Sequence, residues 1–256
     1  MESLLILAGG GVVSGILAGL LGIGGGFLIV SLLVALNYPP IQAVATSSLV
    51  IIMSSTAGSF ANWRMGYLDL RRVAYLAIPA ILFAQLGVEV AVKIPNYILL
   101  TIFGIFLLTN IFLIRLRQNL VAKQKNSDKS FNPTLAKIFT GSIAGFLAGL
   151  LGVGGGAIMV PLQMLLLNEN IKVAIRTSLG VIVAATVSSC ISYAAKGNVL
   201  FYEGIILGIG GMLGTQIGTR VLPKLSDSLV SKIFVLFLAI TAIFMFWKGW
   251  NAYQSI

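Results

Sequence analysis

Leu17-Ala18-Gly19-Leu20-Leu21-Gly22-Ile23-Gly24-Gly25-Gly26 returns at an offset of 130 as Leu147-Ala148-Gly149-Leu150-Leu151-Gly152-Val153-Gly154-Gly155-Gly156, with nine of the ten pairs identical. The same offset pairs Ser47-Ser48-Leu49 with Thr177-Ser178-Leu179, and one residue later in register Gln85-Leu86-Gly87 answers Gln216-Ile217-Gly218. Matches in one order over so much chain make the sequence a duplication. The repeats are read as residues 1–114 and 134–256. Between them, residues 115–133 carry Arg115, Arg117, Lys123, Lys125 and Lys129 without a long apolar run, and read as a solvated, basic, cytoplasmic linker.

Outward from the glycines the chain is too apolar for water. Hydrophobic residues make up 58% and charged residues 9% of 256, and mean hydropathy is +1.01. Ordinary domains are about 25% charged, so this chain lacks the polar surface to coat a soluble core. The fold class is an all-α polytopic membrane protein. The net charge of +10 fits a positive-inside membrane protein, because the basic residues lie between apolar runs. They form no soluble basic face, so nucleic acid is not an expected partner. With no histidine and with Cys190 as the one cysteine, neither a metal site nor a disulfide is expected. The segment after Met1 lacks a basic n-region, so it is expected to stay in the mature protein.

Apolar segments fall at 3–36, 41–63, 70–92 and 96–114, and again at 134–167, 171–195, 202–222 and 227–248. One crossing takes ~20 helical residues. The first segment of each repeat is longer and glycine-broken. It either crosses once as a broken, tilted helix or turns back as a hairpin. The basic residues favour hairpins. Eight spans with the linker inside put Arg64, Arg71, Arg72, the linker five, Lys137, Lys196 and Lys248 inside and six basic residues outside, whereas six spans and two hairpins leave only Lys93, Lys196 and Lys248 outside. The second arrangement makes the repeats inverted, a common transporter plan.

Candidate binding residues follow. A helix interrupted at Gly24, Gly25 and Gly26, and at Gly154, Gly155 and Gly156, exposes backbone donors tolerable only against protein or a wet cavity. Helices restarting at Phe27 and Ala157 would aim two positive dipole ends at a bound anion. Close helix packing is the competing use of such glycines. Ser48, Ser55, Ser59 and Asn62 follow one helical face, matched at the 130 offset by Ser178, Ala185, Ser189 and Ser192. Such a stripe serves a wet path or interhelical hydrogen bonding. Thr46, Ser47 and Ser48 align with Arg176, Thr177 and Ser178, so an arginine faces a threonine in the repeat. Arg176 reads as an anion ligand or an interfacial anchor. Gln85 and Gln216 occupy equivalent places and read as donors lining a pocket or as interhelical bonds. Gly210, Gly214 and Gly218 read as a close-packing face, and Glu89 as an interfacial carboxylate or the carrier of a coupling proton.

The glycine motif of each half, followed by Gln-Ala-Val-Ala-Thr-Ser-Ser-Leu at 42–49 and Val-Ala-Ile-Arg-Thr-Ser-Leu at 173–179, resembles the TauE/SafE-type sulfite exporters of the toluene sulfonate uptake permease family. The proline that often follows the glycines there stands at Pro161 and is replaced by Ser31 in the first half. The resemblance implies a secondary transporter of the prokaryotic cell membrane for a small anion, a sulfur oxyanion such as sulfite or thiosulfate or an organosulfonate, without cofactor. An anion channel or a non-transporting membrane subunit is the alternative. A membrane enzyme lacks support, since no Walker-type motif or paired carboxylates occur. The expected partners are the anionic substrate, the lipid bilayer and, as an option, a second copy of the chain.

Overall fold

A computed structural model describes residues 2–123 and 132–254, in which every regular element is helical: α1 Glu2–Leu21, α2 Gly26–Ala35, α3 Pro40–Arg64, α4 Leu70–Lys93, α5 Asn96–Lys123, α6 Pro133–Leu151, α7 Gly156–Leu166, α8 Ile171–Ala195, α9 Phe201–Val221, a 3-10 turn Leu222–Lys224, and α10 Asp227–Gln254. Polar residues flanking the apolar runs start the helices. Asp69, Asn132 and Asn170 accept the backbone N–H of Arg72, Thr134 and Lys172, and Pro40 and Pro133 sit where a missing N–H costs nothing.

Among the described residues seven helices are long and apolar enough to cross a membrane: α1, α3, α4, α6, α8, α9 and α10. α1 and α6 qualify alone, without α2 and α7. α5 continues helically to Lys123, so the first part of the expected 115–133 linker belongs to a helix. Residues 124–131 lie outside the described residues. The helix persists because nothing from Arg115 to Lys123 is a glycine or proline.

Both long first segments fold back on themselves. A Cβ on Gly25 would stand 2.7 Å from the Ser14 carbonyl and 3.4 Å from Ala18 Cβ, and one on Gly10 would run into Leu32. α2 therefore returns along α1. In the second half, Gly155 closes in the same way on Ala144.

The helices pair across the halves. α1 lies along α9 and α6 along α4, while α3 packs on both α8 and α9 and α8 on both α3 and α4. Small residues allow the close approach. Gly11, Gly15 and Gly19 of α1 face the backbone of Leu207, Gly211 and Thr215, and Gly210, Gly214 and Gly218 face α1 in return. Gly141, Gly145 and Gly149 do the same against Leu76, Ala80 and Ala84 of α4. The Gly210–Gly218 row is thus a packing face, as its spacing indicates. The matching rows on α1 and α6 are equally legible.

Contacts define two ends of the bundle. At the linker end, Arg72 pairs with Glu169 at 2.8 Å, Arg176 stacks on Tyr67, Lys137 lies over Tyr75, and Lys172 Nζ donates to the Pro223 carbonyl. At the other end, Tyr38 donates to Glu203, the Leu200 N–H donates to Thr46, Lys196 pairs with Glu89 at 2.9 Å, and Lys248 reaches Asn37. α3 and α8 therefore run antiparallel. Glu89 sits, half-exposed, near the end of α4.

Candidate functional site

Each turn is built from backbone angles that L side chains avoid. Gly22, Gly24 and Gly25 have φ of 69, 74 and 76, and Gly152, Gly154 and Gly155 have φ of 63, 72 and 73. The left-handed region costs a residue with a Cβ roughly 1–2 kcal/mol, so glycine at all six positions lets the helix stop and restart within four residues. Gly22 ends α1, its N–H donating to the Ala18 carbonyl at 2.9 Å, and Gly152 ends α6 through Ala148 at 3.0 Å.

The two turns meet. A Cβ on Gly26 would lie 2.6 Å from Val153 Cα, and one on Gly156 2.7 Å from Ile23 Cα. The third glycine of each motif is therefore required by the other turn rather than by its own conformation. Ile51 and Ile182, near the middles of α3 and α8, both border Gly24 and Gly154, which puts the crossing at mid-height. Residues 21–27 and 151–161 are wholly buried. At the crossing α2 and α7 begin at Gly26 and Gly156 with glycine N-caps and no side-chain cap. Their first-turn N–H groups lack intrahelical acceptors, and each helix end carries roughly half a positive charge. The arrangement can attract an oxyanion and donate hydrogen bonds to it.

Serines hold the turns in place. Ser47 Oγ donates to the Gly152 carbonyl and Ser178 Oγ to the Gly22 carbonyl, both at 2.6 Å, and Ser54 Oγ donates to the Gly24 carbonyl at 3.2 Å. Nothing in the sequence separates Ser54 from its neighbouring serines, and sequence reasoning misses it.

The reciprocal bonds also correct the register between halves. Ser47 and Ser178 stand in equivalent positions, α3 begins at Pro40 and α8 at Ile171, and the left-handed residues closing α2 and α7 are Asn37 and Asn168. The offset is 131 from there on, because α7 has 11 residues where α2 has 10. Arg176 thus answers Ala45, not Thr46, and Thr46 answers Thr177. The face of Ser48, Ser55, Ser59 and Asn62 is matched by Leu179, Thr186, Cys190 and Tyr193 rather than by Ser178, Ala185, Ser189 and Ser192. The run of serines and asparagine belongs to one half only, and in the other half Thr186 and Tyr193 spend their hydroxyls on backbone carbonyls.

The structure disperses the other candidates. Thr46 receives the Leu200 N–H at 3.0 Å at the far end of the bundle. Ser48 donates to Ala45 within its own helix. Thr177 is buried beside Ser178. Arg176 lies near the linker end with its guanidinium carbon 3.7 Å from the Tyr67 ring centroid, a cation–π contact. Gln85 and Gln216 do not reach the crossing. α4 buries Leu76, Ala80, Ala84, Gly87, Val88 and Ala91, and α9 buries Gly211, Gly214, Thr215 and Gly218. Each glutamine falls on the opposite, exposed face. Among the described residues no cluster suits a metal ion.

Comparison with known proteins points to a family of membrane transporters. The family described as sulfite exporter TauE/SafE matches residues 7–245. A probable membrane transporter protein of Methanocaldococcus jannaschii is 29% identical over 92% of each chain. One from Bacillus subtilis is 27% identical over 96% of this chain and 98% of its own, and one from Xylella fastidiosa is 28% identical over 98% and 97%.

Proposed function

The chain belongs to the sulfite exporter TauE/SafE family, a family of membrane transporters, and from that premise we propose that it is a secondary transporter binding a small sulfur-containing oxyanion or organosulfonate, such as sulfite or thiosulfate, where its two glycine turns cross. One observation carries this reading: two buried helix N-termini, at Gly26 and Gly156, brought together at mid-height without side-chain caps. An anion between them takes hydrogen bonds from both first turns and sits at the positive end of both dipoles. Uncharged donors offset dehydration without the permanent grip of a buried ion pair, which suits a substrate that must leave.

The repeats, 1–114 and 134–256, are inverted in this reading, and α1–α2 and α6–α7 are hairpins dipping from opposite faces of the prokaryotic cell membrane. Support comes from the antiparallel α3 and α8 and from the charges. Arg64, Arg71, Arg72, Lys137, Lys172, Arg220 and Lys224 sit in or beside the helix termini and loops of the linker end, while Lys93, Lys196 and Lys248 belong to the other end. The excess supports a cytoplasmic linker end.

The test is thermal unfolding of purified protein against sulfite, thiosulfate, sulfate, sulfoacetate and small carboxylates, followed by counterflow in proteoliposomes. A binder raises the midpoint by mass action, and a carrier shows saturable counterflow where a channel does not. No stabilising anion and no counterflow would remove the proposal.

A further inference from the structure

Of the eight buried side-chain polar atoms without a partner among the described residues, five fall along one line, the others being Asn110 Oδ1, Thr140 Oγ1 and Gln163 Oε1. Ser55 Oγ, Ser59 Oγ, both amide atoms of Asn62 and Arg176 Nε make no hydrogen bond. The three α3 residues share one helical face at i, i+4 and i+7. The line starts at the crossing, where Ser55 Oγ is 3.2 Å from the Cβ position of Gly24, and ascends towards the linker end. Asn62 is 0% exposed. Its backbone carbonyl accepts the N–H of Tyr67 at 2.9 Å, and the Tyr67 ring stacks on Arg176. Gly58 packs against Leu179, so one turn further along the antiparallel pair Asn62 comes level with the Ile175–Arg176 step. A buried amide with neither donor nor acceptor satisfied calls for a ligand or water.

The other half offers no such line. The equivalents are Thr186, Cys190 and Tyr193. Thr186 Oγ1 donates to the Ile182 carbonyl at 2.7 Å. Cys190 is a weak hydrogen-bonding group. Tyr193, fully buried, donates to the Gly149 carbonyl at 2.6 Å, where Asn62 bonds nothing with its side chain.

We propose that Arg176, Asn62, Ser59 and Ser55 form the lane by which the oxyanion passes between the linker end and the turn crossing, and that Tyr193 closes the opposite end. This rests on the transport reading above. Arg176 supplies a permanent charge with planar donors at the mouth. The Asn62 amide and the two hydroxyls then donate in succession, replacing the hydration shell stepwise. The last donors are the uncapped N–H groups of α2.

Cys190 occupies the position equivalent to Ser59, which builds a control into the chain. In a Cys190→Ala background, Ser59→Cys and Ser55→Cys are to be exposed to an impermeant anionic methanethiosulfonate from each side of oriented proteoliposomes, with sulfate or sulfoacetate as protectant. Modification from the linker end alone, slowed by the protectant, is expected, with Cys190 of the unaltered chain unreactive from both sides. Arg176→Gln should slow the anionic reagent about tenfold, the factor set by ~1.4 kcal/mol, and leave an uncharged reagent of similar size unaffected. Unreactive thiols in both Ser59→Cys and Ser55→Cys, in protein that still shows counterflow, would overturn the lane and spare the transport reading. Modification insensitive to protectant and to reagent charge would reveal a water-filled cleft only and also overturn it. Absent counterflow in the unaltered chain removes both proposals.

Discussion

Ser47 donates to the carbonyl of Gly152 at 2.6 Å, so a serine of the first repeat fixes the backbone turn of the second. Ser178 returns the bond to Gly22. Alanine at either position leaves a buried carbonyl short of a donor, a penalty of about 1–3 kcal/mol. Ser47→Ala and Ser178→Ala should each lower the thermal midpoint in detergent, and by similar amounts. Unequal losses would show that the two turns are not mechanically equivalent.

Gly24 and Gly154 should tolerate alanine far less well than Gly66 and Gly197. All four have positive φ, so each alanine carries the ~1–2 kcal/mol left-handed penalty. Only the first two add crowding. A Cβ there meets Ile51 or Ile182 at 2.8 Å, while Gly66 and Gly197 have nothing within 4 Å. Thermal unfolding of the four variants checks this, and equal losses would mean that the isoleucines simply move aside.

Topology is open to cysteine labelling. In a Cys190→Ala background, Asn132→Cys and Lys248→Cys should react from opposite faces of the membrane, since Lys248 reaches Asn37 at the far end from the linker. Labelling of both from one face would restore an eight-span arrangement with parallel repeats.

The outward-facing glutamines should be dispensable for binding. Gln85→Leu and Gln216→Leu are expected to leave anion affinity within about twofold, a difference of ~0.4 kcal/mol. Equilibrium binding is the measurement. A tenfold loss in either would bring these amides back into the site.

Glu169 provides a pH test. Burial holds its carboxyl above the ordinary 4.5, against the lowering influence of Arg72 and Lys137. A carboxyl raised in the folded state contributes stability below its unfolded value and loses that contribution as pH rises through the folded one. The stability of the unaltered protein relative to Glu169→Gln should therefore fall as pH rises from about 4 towards neutral, about 4 being where a free carboxyl titrates. The opposite slope in thermal melts would show that the 2.8 Å pair with Arg72 outweighs burial.

Much of the architecture was legible because its causes are local. Composition demands lipid, and the Gly-x-Gly-Gly-Gly runs at 22–26 and 152–156 interrupt a helix, whereas Gly9-Gly10-Gly11 stays inside α1. Four-residue glycine spacing marks a close face on α1, α6 and α9 alike. The candidate site was legible only in part. Gly24–Gly26 and Gly154–Gly156 do converge, whereas Thr46, Gln85 and Gln216 do not. Equivalence in the repeat says nothing about which side of a helix is covered. α4 and α9 each choose one face for burial, and the glutamines are on the other.

The sequence by itself determined a duplicated, helical, membrane-embedded chain with two glycine-broken segments, because hydropathy, helix breaking and repetition are properties of short stretches. Only the tertiary structure decided that the turns cross, that Gly26 makes room for Gly152–Val153 and Gly156 for Gly22–Ile23, and that Arg176 answers Ala45. A one-residue difference between α2 and α7 shifts the register of everything after it. No local rule detects such a shift, since each helix is well formed at either length, and contact between residues more than a hundred positions apart is what reveals it.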